Sequence, residues 1–186
     1  MNRHSTGHFI LKHLVEYFSA KQLVRRGDYS VTRTNDYSIV LVKSNTYMNE
    51  SGRGFRQFVD NEDFQPSQSI VVILYDDFDN KLGKVKLSEL KKNESHNGIR
   101  DISRALHGIK SDVKIYKLGI GIGPKPSKAS GAIVSNWVLS KFTDEELTIL
   151  RGTSFNLVTK YVDEIYENNA VGDCNLLNQK IAQALP

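Results

Sequence analysis

Five short segments of this chain carry side chains that could together activate water and hold a polar substrate. A histidine accepts a proton from water more readily when a carboxylate binds its other ring nitrogen, because the carboxylate fixes the tautomer and stabilises the imidazolium. Asparagine carboxamides can donate to the oxyanion that develops at an attacked carbonyl. The segments that supply such a set are 3–7, 46–52, 75–77 with 82–84, 96–98 and 119–123. Together, and in this order, they predict a hydrolase.

His4 is the candidate general base, and Asp76 is its candidate partner. His4 comes just before a predicted helix, beside Arg3 and capping-type residues, while Asp76 ends the apolar strand 70–75. Assistance by a general base is typically worth ~10²–10⁴ in rate. Taken alone, His4 fits a surface histidine and Asp76 a turn carboxylate, so the assignment depends on the fold bringing them together. A metal shared by His4 and His8 is the weaker alternative, since no carboxylate completes a helical metal motif.

Asn49 and Asn97 both lie at predicted loop-to-helix junctions. Asparagine is a favoured helix cap, and capping alone would explain each of them. The same carboxamides could hold substrate amides or donate to an oxyanion. The residues by themselves leave both interpretations open.

The glycine repeat 119–123 resembles half of a dinucleotide-binding fingerprint. Its spacing is wrong, and Pro124 follows where the helix of that fingerprint should begin, so we reject this interpretation. Glycines at alternate positions of a strand instead favour close packing or the close approach of a ligand.

The composition is typical of one globular domain. Hydrophobic residues make up 39% of the 186 residues and charged residues 25%, which are ordinary values. No stretch approaches the ~20 apolar residues of a membrane span. The single cysteine, Cys174, cannot form an internal disulfide, which favours a reducing compartment and excludes a cysteine-based zinc site.

The chain carries a net charge of +4, from 25 basic and 21 acidic residues. This excess permits a polyanionic partner, but solubility alone would explain it equally well. The basic residues concentrate in the middle of the chain, as Lys81, Lys84, Lys86, Lys91, Lys92, Arg100, Arg104, Lys110, Lys114, Lys117, Lys125 and Lys128.

Apolar spacing predicts strands that alternate with helices, and this alternation predicts a three-layer α/β domain. The predicted helices are 5–23, a short helix after 52 that buries Phe55, Phe58 and Val59, 96–109, 132–139, a helical region opened by the capping pattern 143–146, and 176–185. The predicted strands are 29–33, 37–42, 70–75, 84–87 and 114–122. The run 70–75 suits a sheet covered on both faces, and we expect Trp137 in the core. We predict one domain over 1–167, followed by a linker and short helix over 168–186.

In this order the segments resemble the bacterial-type peptidyl-tRNA hydrolases, in a eukaryotic form such as those of fungi. The motifs that carry the resemblance are Arg3-His4-x-x-Gly7, Thr46-Tyr47-Met48-Asn49-x-Ser51-Gly52, Asp76-Asp77-x-Asp79 with Leu82-Gly83-Lys84, His96-Asn97-Gly98 and Ile120-Gly121-Ile122-Gly123. The likeness covers residues 2–150. It implies a mixed, twisted sheet flanked by helices in a single domain.

The resemblance also implies an activity, which is cleavage of the ester that joins the peptide to the terminal ribose of peptidyl-tRNA. The implied site residues are His4 as base with Asp76 as its partner, Tyr47, Asn49 and Asn97 for substrate binding, and Lys84, Lys86 and Arg100 for tRNA phosphates. No metal or organic cofactor and no membrane partner is expected. We expect a monomer that works in the cytoplasm or the mitochondrion.

The chain departs from the family pattern at its start. Family members begin with a strand and a Gly-Asn-Pro segment before the histidine motif, and this sequence has neither. Either a segment is missing, which we expect, or the protein is reduced. In addition, Asn93-Glu94-Ser95 replaces a glycine-rich approach to His96. These departures keep an alternative open, which is an RNA-binding or RNA-processing relative that is catalytically weak or inactive.

Overall fold

The computed structural model describes residues 1–91, 94–106, 113–126 and 131–184. The helices within these ranges are α1 (Thr6–Tyr17), α2 (Ser51–Asn61), α3 (Asn97–Leu106), α4 (Gly131–Leu139), α5 (Asp144–Ile149), α6 (Phe155–Asn168) and α7 (Cys174–Gln183). The strands are β1 (Val24–Arg25), β2 (Tyr29–Arg33), β3 (Val40–Ser44), β4 (Ile70–Asp77), β5 (Val85–Glu89) and β6 (Lys114–Gly121). They form two sheets, with the orders β1-β2-β3 and β4-β6-β5. The predicted α/β class, with sheets flanked by helices, is confirmed.

The chain forms two compact units, which we describe separately. The first unit draws on residues 1–10, 74–89 and 117–186, and the second on 11–73 and 90–116. None of the helices in the described residues combines the length and the apolar character needed to cross a membrane. The predicted boundary between 167 and 168 stays a prediction.

The core of the second unit is an aromatic cluster between a sheet face and α2. Strand β2 pairs antiparallel with β1 and β3, with Val31 opposite Val42. Tyr29 and Val31 of β2 are buried against Phe58 of α2, and the Tyr29 and Phe58 rings meet edge to face at 5.8 Å. The side chains that pack around this cluster are Val42, Phe55, Val59 and Phe64. The predicted buried side of α2 is therefore confirmed.

The first unit is built around β5, the last part of β6 and the C-terminal helices. Leu87 of β5, Leu118 of β6 and Val158 of α6 are fully buried. The Asn178 carboxamide on α7 binds both backbone groups of Leu87, accepting from its N–H at 2.9 Å and donating to its C=O at 2.9 Å. The Tyr161 hydroxyl donates to the same Asn178 oxygen at 2.7 Å. One carboxamide thus fastens α7 to the outer strand of the β4-β6-β5 sheet.

Several predicted element ends near the start of the chain were wrong. Helix α1 ends at Tyr17 rather than near residue 23, because the backbone turns at Ser19, which has a positive φ of 49°. The second predicted strand begins later, as β3 at Val40, because Tyr37 has a φ of 62° and belongs to the preceding turn.

Two burial predictions and one later boundary were also wrong. Strand β4 extends through Asp77, and its apolar residues are only partly buried, since it is an outer strand of its sheet. Trp137 is partly exposed rather than in the core. Helix α7 begins at Cys174 instead of residue 176. The predictions that involved Lys92, Ile109, Lys110 and Lys128 lie outside the described residues.

Candidate active site

A glycine lets the segment that carries His4 approach strand β4. His4 lies in the 3-10 turn Arg3–Ser5, which leads directly into α1. A Cβ atom on Gly7 would lie 2.6 Å from the carbonyl oxygen of Leu74 in β4, closer than real side chains come. Asp76 follows Leu74 by two residues in the same strand. The absence of a side chain at Gly7 therefore brings the start of α1 to the part of β4 where Asp76 lies.

His4 and Asp76 are in hydrogen-bond contact. His4 Nδ1 lies 2.8 Å from Asp76 Oδ2. The Asp76 side chain is 1% exposed, and the His4 side chain is 25% exposed. A carboxylate held against Nδ1 favours the tautomer in which Nδ1 carries the hydrogen, so that Nε2 becomes the basic nitrogen. The arrangement is suited to proton transfer at a partly accessible imidazole.

Arg3 anchors the backbone next to His4. Its Nη2 group donates to both carboxylate oxygens of Glu146, at 2.9 Å each, and Nη1 donates to the Ile122 carbonyl at 3.2 Å. The guanidinium group stacks over the rings of Phe142, at 4.6 Å, and Trp137, at 5.2 Å. An arginine can do both because its N–H donors lie in the plane of the group while its face lies on aromatic rings. These contacts restrict where His4 can lie.

In the second unit, Asn49 and Asn97 line one groove between α2 and α3. Asn49 lies in the turn before α2, and Asn97 opens α3. The groove consists of two adjoining pockets of about 250 and 280 Å³. Arg100 also lines it, and its guanidinium donates to Asn97 Oδ1 at 2.6 Å. Two residues predicted for substrate binding and one predicted for phosphate binding thus share a groove.

Two close contacts hold the walls of this groove together. The Asp101 carboxylate on α3 accepts the backbone N–H of Gly52, in the first turn of α2, at 2.7 Å. A Cβ atom on Gly98 would lie 3.2 Å from the backbone oxygen of Met48, so a side chain there would crowd the turn that carries Asn49. Asp101 and Gly98 therefore set the spacing between the two asparagines.

The remaining predicted residues lie on exposed surfaces. Tyr47 is 83% exposed and is not among the described residues that line the groove. Lys84 and Lys86 are exposed in the first unit, where Lys86 belongs to β5. The backbone oxygen of Lys84 accepts the N–H of Gly121 in β6 at 2.8 Å. The main chain of this segment is thus fixed while both lysine side chains face solvent.

Comparison with known proteins assigns the family. The sequence model described as "Peptidyl-tRNA hydrolase" matches residues 1–184. The chain belongs to the peptidyl-tRNA hydrolase family. It is 29% identical to the peptidyl-tRNA hydrolase of Mycoplasma mycoides over 169 residues, which cover 89% of this chain and 85% of that protein. It is 32% identical to that of Lactobacillus helveticus over 168 residues, covering 87% and 83%. The resemblance predicted from the motifs is confirmed.

Solved structures of the family have the same fold. A crystal structure of peptidyl-tRNA hydrolase from Acinetobacter baumannii matches with a TM-score of 0.76 at 25% identity, over 95% of this chain and 86% of that one. The predicted peptidyl-tRNA hydrolase-like fold is therefore confirmed. The eukaryotic origin and the absence of a cofactor stay predictions.

Sequence reasoning missed the part that Arg3, Arg53, Arg56 and Asp101 play. Arg53 and Arg56 are three apart on α2, and Arg100 and Arg104 are four apart on α3. These spacings place each pair on one face of its helix, so the signal was available in the sequence. For Arg3 it was not, because its carboxylate partner is 143 residues away.

Proposed function

We propose that this chain hydrolyses the ester bond between the peptide and the terminal ribose of peptidyl-tRNA. Family membership over residues 1–184 supports the reaction. The observation that carries the proposal is the 2.8 Å contact between the His4 imidazole and the Asp76 carboxylate. A carboxylic ester is activated enough to be attacked by water when a base and hydrogen-bond donors are in place.

In the proposed mechanism His4 is the general base. Nδ1–H donates to Asp76, and Nε2 accepts a proton from water as the water oxygen bonds to the ester carbonyl carbon. The Asp76 carboxylate stabilises the imidazolium ion that results. The tetrahedral intermediate then collapses, the bond to the ribose oxygen breaks, and the imidazolium returns the proton to that oxygen. The products are the peptide acid and a tRNA with a free terminal hydroxyl.

Substrate binding is assigned to Tyr47, Asn49 and Asn97. The two carboxamides line one groove, which supports a shared role in holding the substrate near the scissile bond, and Tyr47 has an exposed hydroxyl and ring. Lys84, Lys86 and Arg100 remain the candidates for tRNA phosphates, and all three are exposed. We expect the chain to act as a monomer without a metal, in the cytoplasm or the mitochondrion.

Hydrolysis of an N-blocked aminoacyl-tRNA, followed by release of the N-blocked amino acid, tests this proposal. We expect His4→Ala and Asp76→Asn each to lower kcat by about 10²–10⁴, because the first removes the base and the second removes the charge that stabilises its cation. His8→Ala is the matched control, since His8 is an exposed histidine on α1, the helix that follows the His4 turn, and it should keep full activity. Thermal melts of all four proteins establish that each is folded.

Two outcomes would count against the proposal. Full turnover by folded His4→Ala would remove His4 as the base. Tight binding of tRNA by the unmodified protein without any release would instead favour the binding-protein alternative.

A further inference from the structure

Four arginines line the groove that contains Asn49 and Asn97. Arg53 and Arg56 reach it from α2, and Arg100 and Arg104 from α3. All four side chains belong to exposed residues. Of the four, only Arg100 has an assigned role, as a candidate for tRNA phosphates, and the proposed hydrolytic step uses none of the other three.

In the described part of the chain, the carboxylates near the groove pair with Arg53 and not with the other three arginines. Glu50 pairs with Arg53 at 2.9 Å, and Arg53 is further paired with Asp28 at 2.8 Å. The other lining carboxylate, Asp101, accepts the Gly52 N–H.

Three of the arginines are therefore available to bind an anionic ligand. Within the described ranges of the chain, no carboxylate forms an ion pair with Arg56, Arg100 or Arg104. Within the same ranges, their only side-chain hydrogen bond runs from Arg100 to Asn97. The groove thus presents three available guanidinium groups beside two carboxamides.

This chemistry fits phosphodiester groups better than any other anion that the substrate carries. Guanidinium groups bind phosphate through two parallel N–H donors and remain charged at all physiological pH values. None of the described lining residues is aromatic, so the groove has no ring on which a base could stack. Contacts of this kind hold the backbone and do not select a base sequence.

The peptide is a poorer partner for these arginines than the tRNA phosphates are. Its side chains differ from one substrate to the next, so an acidic group would not recur at a fixed place. Phosphates recur in every tRNA at a regular spacing along the strand. A site used for all peptidyl-tRNAs is best matched to the component that they share.

We propose that the α2–α3 groove binds the phosphodiester backbone of the single-stranded 3′ end of tRNA, through Arg56, Arg100 and Arg104. This inference rests on the proposed function, since it assigns a binding site for the substrate of that reaction.

Binding of deacylated tRNA and of a short single-stranded RNA tests the groove apart from catalysis. The variant is Arg56→Gln with Arg104→Gln, which removes two charges and keeps helix-forming side chains. Fluorescence anisotropy over a series of salt concentrations should show about two- to fivefold weaker binding for each arginine removed. The slope of log affinity against log salt should fall by about 0.7 for each lost phosphate contact. Arg25→Gln, an exposed arginine on β1 of the same unit, should change neither quantity.

A second variant should act in the opposite direction. Glu50→Gln removes a carboxylate that lines the groove and pairs with Arg53, so it should strengthen RNA binding. In hydrolysis assays the double arginine variant should raise KM by the factor by which it weakens binding and leave kcat within about twofold, because uniform binding affects KM alone.

The outcomes separate this inference from the proposed function. Unchanged RNA affinity and salt slope in the folded double variant would overturn the groove assignment while hydrolysis stands. A loss confined to substrates with acidic peptides would also overturn it, since the groove would then bind the peptide. Weakened RNA binding in the arginine variants, together with full turnover by His4→Ala, would support the groove and reject the assigned base.

Discussion

The segment around His4 and the α2–α3 groove are held in opposite ways. Asp76 is buried, and Arg3 anchors the backbone beside His4 with ion-pair, carbonyl and ring contacts. In the groove, Asn49, Asn97 and the arginines are exposed, and Asp101 holds the backbone at the start of α2.

The difference follows from what each region is proposed to do. Proton transfer depends on one tautomer and one orientation, and misplacement by about 1 Å can cost 10²-fold in rate. Binding a flexible strand through its phosphates requires charge within reach and tolerates side-chain motion. A hydrolase of a large polyanionic substrate is therefore expected to hold its general base in a fixed position and to bind the substrate through exposed, mobile side chains.

Outside the proposed catalytic pair of His4 and Asp76, the largest effect is expected from breaking the Arg3 contacts. Arg3→Met keeps much of the apolar stem but removes the guanidinium, leaving the partly buried Glu146 carboxylate without its partner. We expect the free energy of unfolding to fall by about 2–3 kcal/mol, below the value for a fully buried pair because Glu146 is partly exposed. We also expect kcat to fall by about tenfold or more, because His4 loses its fixed position. Urea unfolding and turnover at a temperature where the variant is folded measure the two effects.

The control for this variant is Glu146→Gln, which keeps hydrogen-bond acceptance without the charge and should cost less stability. A folded Arg3→Met protein with unchanged kcat would reduce Arg3 to a structural residue. A lower kcat with an unchanged KM would support its role in positioning His4.

The same two regions show how far sequence can reach. The motifs predicted His4 and Asp76, which the fold brings into contact, and Asn49 and Asn97, which share a groove. Apolar spacing predicted β2 and the buried side of α2, because these signals are local. The end of α1 was missed because Ser19 adopts a left-handed backbone with no glycine or proline to signal it. The contact between Arg3 and Glu146 joins residues 143 apart, and only the completed fold brings them together. Arg53 and Arg56 were overlooked although their helical spacing was visible.

A smaller effect is expected when the groove is loosened rather than the base. Asp101→Ala removes the acceptor of the Gly52 N–H at the start of α2. Loss of a helix cap costs about 0.5–2 kcal/mol, and the spacing between Asn49 and Asn97 should relax. We therefore expect a KM increase of several-fold with kcat much less affected, measured by steady-state hydrolysis alongside thermal melts.

Asp101→Asn is the informative companion because its amide oxygen can still accept the Gly52 N–H. It should restore most of the stability and the KM. Asp60→Ala, at an exposed aspartate of α2, should have little effect. If Asp101→Asn behaved like Asp101→Ala, the charge rather than the cap would matter.

The smallest effect concerns the C-terminal end of α2 and appears only in acid. The hydrogen bond from Arg33, at 2.6 Å, lowers the pKa of Glu62 from its ordinary value of 4.5, and burial opposes this while a hydrogen bond from Tyr29 adds to it. A carboxyl whose pKa is lower in the folded state binds fewer protons there than in the unfolded chain. Its contribution to stability is therefore present above pH 4.5 and is lost as the pH falls through the folded value.

Glu62→Gln should remove this acid-dependent part of the stability and cost no more than about 1 kcal/mol at neutral pH, since the pair is partly exposed. Urea unfolding at about pH 7 and about pH 3 measures both quantities. An equal loss of stability at the two pH values would mean that Glu62 acts through packing. A loss confined to neutral pH would mean that the charge of Glu62, paired with Arg33, stabilises the C-terminal end of α2, whereas the His4 segment depends on the separate pair of Arg3 and Glu146.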